Sequence, residues 1–471
     1  MYYSKYNIFV NLYKYPEYLI LQNIFHGKAS LFPKKMADRI KKYSENSSTI
    51  HLSKYENDLL LEKGFIYQTQ EEENKLIQDL YQEFLKTLLP INPTRQYQIL
   101  LTYDCNLHCL YCFQKKIKGK TLMNWDKLQA VFSIICDIER KNEKEIQKRS
   151  LSTRVPLISI VGGEPLRNIP EHQYLVREII AFCKKNRFNY AITTNGLELD
   201  TYLLLFYKQN YLPRDVQITL DGTKEFHDKR RITVGGQGSF DDIVNSINVT
   251  LEAGIHISLR INLDSMNLQS IDRLADFIVR QGWNNAENFS AYLAPITDHS
   301  QVNQNYKWLV KDATIIQMIV KAFQRRPELE NIFTLKNFRG YSYVKRIAEK
   351  DGFPIPTFWR CEAVLGQMIF DPLGNVFTCF EGAGNFEAKV GEYFPKLHIE
   401  KKRIASWTEL NSVTNRYCEE CKYRFVCASG CPWHIVRHKK TECLPIEEEI
   451  YLAWNYYAPK VLKNLQIDDN L

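Results

Sequence analysis

Strand-like and helix-like segments alternate between residues 96 and 300, and this alternation leaves few folds open. QYQILLTY is followed by a helical pattern ending near IICDIERKN, and VPLISIVGG by HQYLVREIIAFCKKN. NYAITTNG, DVQITLDG, HISLRINLD and ENFSAYLAP supply four further strands. Six such units in series predict a parallel sheet with right-handed crossovers. The expected class is α/β, a partial (β/α)6 version of a TIM-like barrel. Barrel folds carry their chemistry at the C-terminal ends of the strands. There the sequence places its most distinctive residues. A cysteine loop follows the first strand, Gly162-Gly163-Glu164-Pro165 the second, Thr194-Asn195-Gly196 the third and Asp221-Gly222 the fourth.

At 471 residues the chain is too long for one ordinary domain. Residues 1–95 read as a separate small domain of strands or a hairpin, two short amphipathic helices, a closing strand and a longer helix ended by Pro90. Residues 96–300 are the barrel, and 301–360 a helical bridge with clear periodicity in WLVKDATIIQMIVKAFQRR. Residues 361–445 are dense in cysteine and sparse in regular structure, and 446–471 read as a helix returning to the body. With 45% hydrophobic and 25% charged residues, large cores are expected and global disorder is excluded. The net charge of +8 is small for this length and does not argue for nucleic acid. The N-terminus has no basic stretch leading into an apolar one, and no run of about 18 apolar residues occurs, so neither export nor a membrane partner is expected. Twelve cysteines without an export signal read as metal or redox ligands in a reducing cytoplasm, not as disulfides.

Cys105, Cys109 and Cys112 form a C-x3-C-x2-C run. Three thiolates on one loop can grip three corners of a four-iron cluster. Such clusters usually take four cysteines, so the missing fourth leaves one iron open for a small molecule. A zinc site is the rival, but it wants four tetrahedral ligands. His108 is available as a fourth, yet zinc leaves the downstream motifs unexplained.

This pattern resembles the radical S-adenosylmethionine (SAM) superfamily. The resemblance implies a [4Fe-4S] cluster whose open iron takes the methionine end of SAM. An electron from the cluster then splits SAM into methionine and a 5′-deoxyadenosyl radical, which takes hydrogen from an unactivated C–H bond. It also implies roles for particular residues. Tyr111 lies near the adenine. Gly162 and Gly163 allow close backbone approach, and Glu164 accepts from the methionine ammonium. Thr194 and Asn195 are cofactor contacts, Thr219 serves the ribose and Arg231 the carboxylate, with Arg260 as a second candidate. The plainer readings are core packing for Tyr111, a simple turn for GGEP and surface ion pairs for the arginines.

A second constellation runs Cys361, Cys379, Cys418-x2-Cys421-x5-Cys427-x3-Cys431 and Cys443. It resembles the SPASM domain, which carries two auxiliary [4Fe-4S] clusters. By that resemblance Cys418, Cys421, Cys427 and Cys443 hold the distal cluster, and Cys361, Cys379 and Cys431 the nearer one. The nearer cluster is then one ligand short, which leaves an open iron or a non-cysteine ligand. A zinc knuckle is the alternative. Cys136 and Cys183 fall in helical patterns and read as buried packing.

The N-terminal segment resembles a PqqD-like peptide-recognition domain, a winged-helix-like fold in which a peptide adds a strand to a sheet edge. The alternative is a cap that only covers the barrel. Together these resemblances imply a radical SAM maturase of a ribosomally made precursor peptide, forming a thioether or carbon–carbon crosslink. Its partners would be the peptide's leader and a reductant such as flavodoxin or ferredoxin. An anaerobic sulfatase-type maturase oxidising a Cys or Ser is the close rival. That group has an Asp after the second auxiliary cysteine, whereas Phe380 and Glu381 follow Cys379 here, leaving Glu381 as the candidate base. A zinc-stabilised nucleic-acid binder is the alternative from another class.

Overall fold

The computed structural model describes residues 1–45, 51–117, 119–298, 306–349 and 356–464. Residues 301–305 and 350–355 of the expected bridge, and 465–471 of the expected last helix, lie outside the described residues. Six strands, Gln96–Leu100, Leu157–Val161, Asn189–Thr194, Asp215–Thr219, Ile257–Leu263 and Phe289–Pro295, pair in parallel and in sequence order. Their side chains alternate with period two. Tyr97, Ile99, Ile158, Ile160, Tyr190, Ile192, Val216, Ile218, Leu259 and Ile261 are buried on the face that the crossover helices cover. The opposite face carries Gln98, Ser159, Thr193, Gln217, Thr219, Ser258 and Arg260, all half-exposed. A closed TIM barrel fills its interior with branched apolar side chains. A polar inner face instead encloses a solvated lumen.

The sheet extends beyond those six strands on both edges. Phe333–Thr334 adds in parallel to the sixth strand. Met368–Phe370 adds in parallel to the first and continues antiparallel through Asn375–Phe377, Lys389–Glu392 and His398–Ile399. The cysteine-rich segment is therefore a direct continuation of the barrel sheet, with more regular structure than its sequence announces. Strands of two to four residues are too short for periodicity to register. The helix after the first strand, Trp125–Arg149, also runs two turns past the expected end. Asn124 caps it by accepting from the Lys127 amide, 3.0 Å. Beyond Ile138, buried Glu139 anchors it on Tyr97, 2.5 Å, and on Arg95.

Ahead of the barrel, Asn7–Asn11, Tyr18–Asn23 and Ala29–Pro33 form a three-stranded antiparallel sheet. Helices Lys34–Glu45 and Lys54–Glu62 follow, the latter opened by a Ser53/Glu56 capping box. The strand Ile66–Tyr67 closes against Tyr2–Tyr3 before helix Gln70–Thr87. Helix Ile446–Asn464 lies along one edge of the three-stranded sheet. Tyr451 donates to the Phe9 carbonyl, 2.6 Å, and Asn455 donates to the Asn11 carbonyl, 3.0 Å, and accepts from the Tyr13 amide, 2.8 Å. The Asn7–Asn11 edge is thus covered, while Ala29–Pro33 forms the other edge. No helix among the described residues is long and apolar enough to cross a membrane.

Helix Ile446–Asn464 also presses backbone to backbone on helix Arg339–Ala348. A Cβ on Gly340 would stand 2.8 Å from the Ile446 carbonyl. Buried Glu449 accepts from the Gly340 amide, 2.6 Å, and burial pushes its carboxyl from 4.5 up to about 7. The folded state therefore holds this proton more tightly than the unfolded chain. Stability is full below pH 4.5 and falls as pH rises through 7, by about 3 kcal/mol in all. Glu449→Gln is expected to flatten that part of the Tm–pH curve; equal slopes for both proteins between pH 4.5 and 8 would refute the assignment.

Candidate active site

The Gly162-Gly163 pair bolts the second strand's end to the approach of the cysteine loop. The Gly163 amide donates to the Thr102 carbonyl, 2.7 Å, and the Glu164 amide to the Asp104 carbonyl, 2.8 Å. A Cβ on Gly163 would lie 2.2 Å from the Asp104 oxygen, so only glycine fits. Glu164 itself is buried and accepts from the Leu166 amide (2.8 Å), the Thr194 hydroxyl (2.7 Å) and the Asn195 amide (2.6 Å). Burial pushes its carboxyl up to about 7. Two carboxylate oxygens offer about four acceptor positions, so one remains for an outside donor. Its main structural effect is to pull the third strand's loop onto the first. Asn195 then donates to Asn106, 2.7 Å, with the same nitrogen 3.8 Å from the Cys105 sulfur.

On the other side of the loop, Tyr111 is half-buried in a charged cluster. Its hydroxyl donates to Asp221 and accepts from Arg231, 3.1 Å, and Asn262, 3.2 Å. The Arg230 guanidinium sits 5.1 Å from the centre of its ring. Burial and the Asp221 charge hold the phenol well above its ordinary range. Arg231 is 6% exposed, its field reaches Cys109, and its Nε has no hydrogen-bond partner. A buried guanidinium with a spare donor beside the sulfur tripod suits a carboxylate. Thr219 is half-exposed in the lumen and faces Arg260 in register on the next strand. Arg260 donates to Asn262, 2.7 Å, within the lumen. Asn262 in turn donates to Tyr111, so Arg260 and Arg231 belong to one hydrogen-bonded network.

Sequence reasoning passed over Arg230, Asn262, Asp264 and Tyr306. Arg230 is fully buried, 3.3 Å from Asp264 and 3.7 Å from Asp221, and donates to the Asn262 carbonyl, 3.1 Å. Tyr306 donates to Asp264. The available signal was the charge-dense HDKRR beside a strand end, but which arginine turns inward is a matter of helix phase.

The seven downstream thiols fall into two groups. The Cys418 thiol is pushed up to about 11 by burial and by Cys427, Cys421 and Cys443. Cys379 is raised by burial, then by Cys431, Glu381 and Cys361. Buried thiols that repel one another stay protonated until a metal cation supplies the missing charge, so both groups fit a metal cluster. Among the described residues no three His, Cys, Asp or Glu side chains converge on one point as a single ion needs. Glu381 lies within the field of Cys379. Phe380, between them, meets Phe113 of the first loop edge-on at 5.5 Å and so ties the two cysteine regions together. Cys183 is buried in its helix, and half-buried Cys136 lies 3.9 Å from Asn186.

Residues 99–278 match the family profile of the radical SAM superfamily. A cysteine-type anaerobic sulfatase-maturating enzyme of Clostridium novyi (strain NT) is 30% identical over 350 residues, 70% of this chain and 85% of that protein. Among solved structures, native anSMEcpe with bound AdoMet and Cp18Cys peptide shares the fold with a TM-score of 0.58 at 13% identity, over 78% of this chain and 98% of that one. SuiB of Streptococcus suis bound to precursor peptide SuiA does so with a TM-score of 0.51 at 14% identity, over 94% of this chain and 97% of that one. By the match along its barrel and by the kinship with the clostridial enzyme, this chain is an enzyme of the radical SAM superfamily.

Proposed function

We propose that the enzyme is a maturase of a ribosomally made precursor peptide. It abstracts a hydrogen from a core residue and forms a thioether or carbon–carbon crosslink. When bound, a four-iron cluster and SAM supply the radical chemistry. Cys105, Cys109 and Cys112 would hold that cluster, and Tyr111, Gly162, Gly163, Glu164, Thr194, Asn195, Thr219 and Arg231 would surround SAM. Cys418, Cys421, Cys427 and Cys443 would hold one auxiliary cluster, and Cys361, Cys379 and Cys431 a second. The observation that supports the reading is the sorting of the seven downstream thiols into two groups, on a segment whose first strand joins the barrel sheet beside the strand that precedes the cysteine loop. The N-terminal sheet supports a leader-binding role, because among the described residues no further strand pairs with its Ala29–Pro33 edge, while the C-terminal helix covers the other. A low-potential donor such as flavodoxin or ferredoxin would reduce the enzyme in the cytoplasm.

A sulfatase-type maturation of Cys or Ser is the second reading. The 30% identity to the clostridial enzyme favours it, with Glu381 beside Cys379 as the base. The mass of a co-expressed peptide separates the two: a crosslink removes two hydrogens within one molecule, whereas a sulfatase-type product carries an oxidised Cys or Ser.

Anaerobic reconstitution is expected to load about twelve irons with matching sulfide, enough for three four-iron clusters. Replacing Cys105, Cys109 and Cys112 together by Ala should lower that to about eight irons and abolish 5′-deoxyadenosine production. Nucleoside production that survives in the triple variant rules the assignment out.

A further inference from the structure

We propose that Arg260 and Lys336 form a carboxylate site at the edge of the lumen, which holds an acidic group of the substrate; this rests on the peptide-maturase reading. Arg260 stands opposite Tyr292 in register on the sixth strand. Lys336, an exposed residue just beyond the added strand Phe333–Thr334, places its ammonium 3.5 Å from the centre of the Tyr292 ring. Tyr292 is fixed by donating to Gln217, 2.6 Å. Two cations thus flank one rigid aromatic on a solvated polar wall.

Neither cation has an ion-pair partner among the described residues. Asp215, whose field reaches Lys336, is already engaged. It accepts from His256, 2.8 Å, and from Ser258, 2.7 Å. The foot of the lumen opens into a cavity of about 490 Å³ whose walls include Arg154 and Arg214. Arg154 and Arg214, both exposed, add positive charge at that opening, which concentrates anions. Burial, with the neighbouring Arg260 charge, holds the Lys336 ammonium below its ordinary value, and an intervening carboxylate would relieve both effects. Arg231 is separately committed to the cysteine loop. Asn262 accepts from Arg260 and donates to Tyr111, so a carboxylate held by Arg260 would lie one hydrogen-bonded step from the Tyr111 cluster.

The carboxylate is an Asp or Glu side chain, or the free C-terminus of a peptide. Three probes are titrated into reconstituted, SAM-loaded enzyme and followed by saturation-transfer NMR. N-acetylglutamic acid α-amide offers a side-chain carboxylate, N-acetylalanine a terminal one, and N-acetylglutamine α-amide none. At least one acid is expected to bind about tenfold tighter than the neutral amide. Whichever acid binds tighter identifies the source. Lys336→Gln and Arg260→Gln should each weaken that acid about tenfold, with Lys336→Arg retaining most of the affinity. Equal binding of acid and amide, or no acid binding, overturns the site. So does a loss of SAM affinity in the variants in place of acid affinity. A candidate precursor that stays unmodified while acid binding persists counts against the maturase reading alone.

Discussion

Gly163→Ala is expected to eliminate SAM cleavage while leaving the downstream thiol groups able to load iron. The new Cβ would sit 2.2 Å from the Asp104 oxygen and 2.7 Å from that of Tyr103. Both obstacles are backbone, so no side chain can swing aside. Residues 102–104 must move, and Cys105 is next in the chain. Overpacking of this kind costs about 1–3 kcal/mol, sometimes more. The catalytic cost is larger, since a displacement of about 1 Å at a reacting centre is worth about 100-fold in rate. The measurements are 5′-deoxyadenosine formation and iron content. A drop of at least about 100-fold, with iron falling towards eight, is the expected pair of results. Gly119→Ala is the control, because nothing lies within 4 Å of its Cβ position. A Gly163→Ala enzyme with the parent rate would mean that the clamp between the two loops has no bearing on the chemistry.

The parts of this site that were legible in the sequence are those whose chemistry is fixed by short spacing. A loop such as Cys105-x3-Cys109-x2-Cys112 must gather its own sulfurs, whatever the rest of the chain does. The six barrel strands were equally legible, because alternation over five to seven residues survives in one dimension. What escaped depends on long-range placement. Met368–Phe370 is a strand only because Gln96–Leu100, some 270 residues earlier, offers it a parallel edge. Glu164 illustrates a subtler loss. Its place in a GGEP motif suggested a ligand to SAM, but three of its acceptor positions are filled from within the fold, by Leu166, Thr194 and Asn195. The same carboxylate can organise the loops and still offer one position outward, and sequence spacing reveals only the second possibility. Arg230 shows the limit most clearly, since its neighbour Arg231 has the same side chain and carried the resemblance.

Removing the Arg230 charge should therefore be the most damaging single change in the barrel outside the cysteines. Arg230→Met keeps the bulk but leaves Asp221 and Asp264 buried with one compensating cation fewer. Breaking a buried pair from one side costs about 3–5 kcal/mol, because the remaining charge has nowhere to go. Chemical denaturation of the two proteins at pH 7 is the measurement, and a difference under about 1 kcal/mol would contradict it. The Arg230→Met/Asp221→Asn double variant should recover part of the loss, since the amide no longer brings an unpaired charge. Stability is only half of the expected effect. Tyr111 keeps its orientation through Asp221 and through the Arg230 guanidinium over its ring, and in sequence it lies between Cys109 and Cys112, two of the proposed cluster ligands. SAM affinity should fall with stability in Arg230→Met. Arg230→Lys restores the charge, and the contacts to Asp264, Asp221 and the Asn262 carbonyl are all made by the one nitrogen Nη2, but the variant loses the flat guanidinium over the Tyr111 ring. It should regain more stability than SAM affinity, because a single ammonium neutralises the carboxylates without fixing the ring.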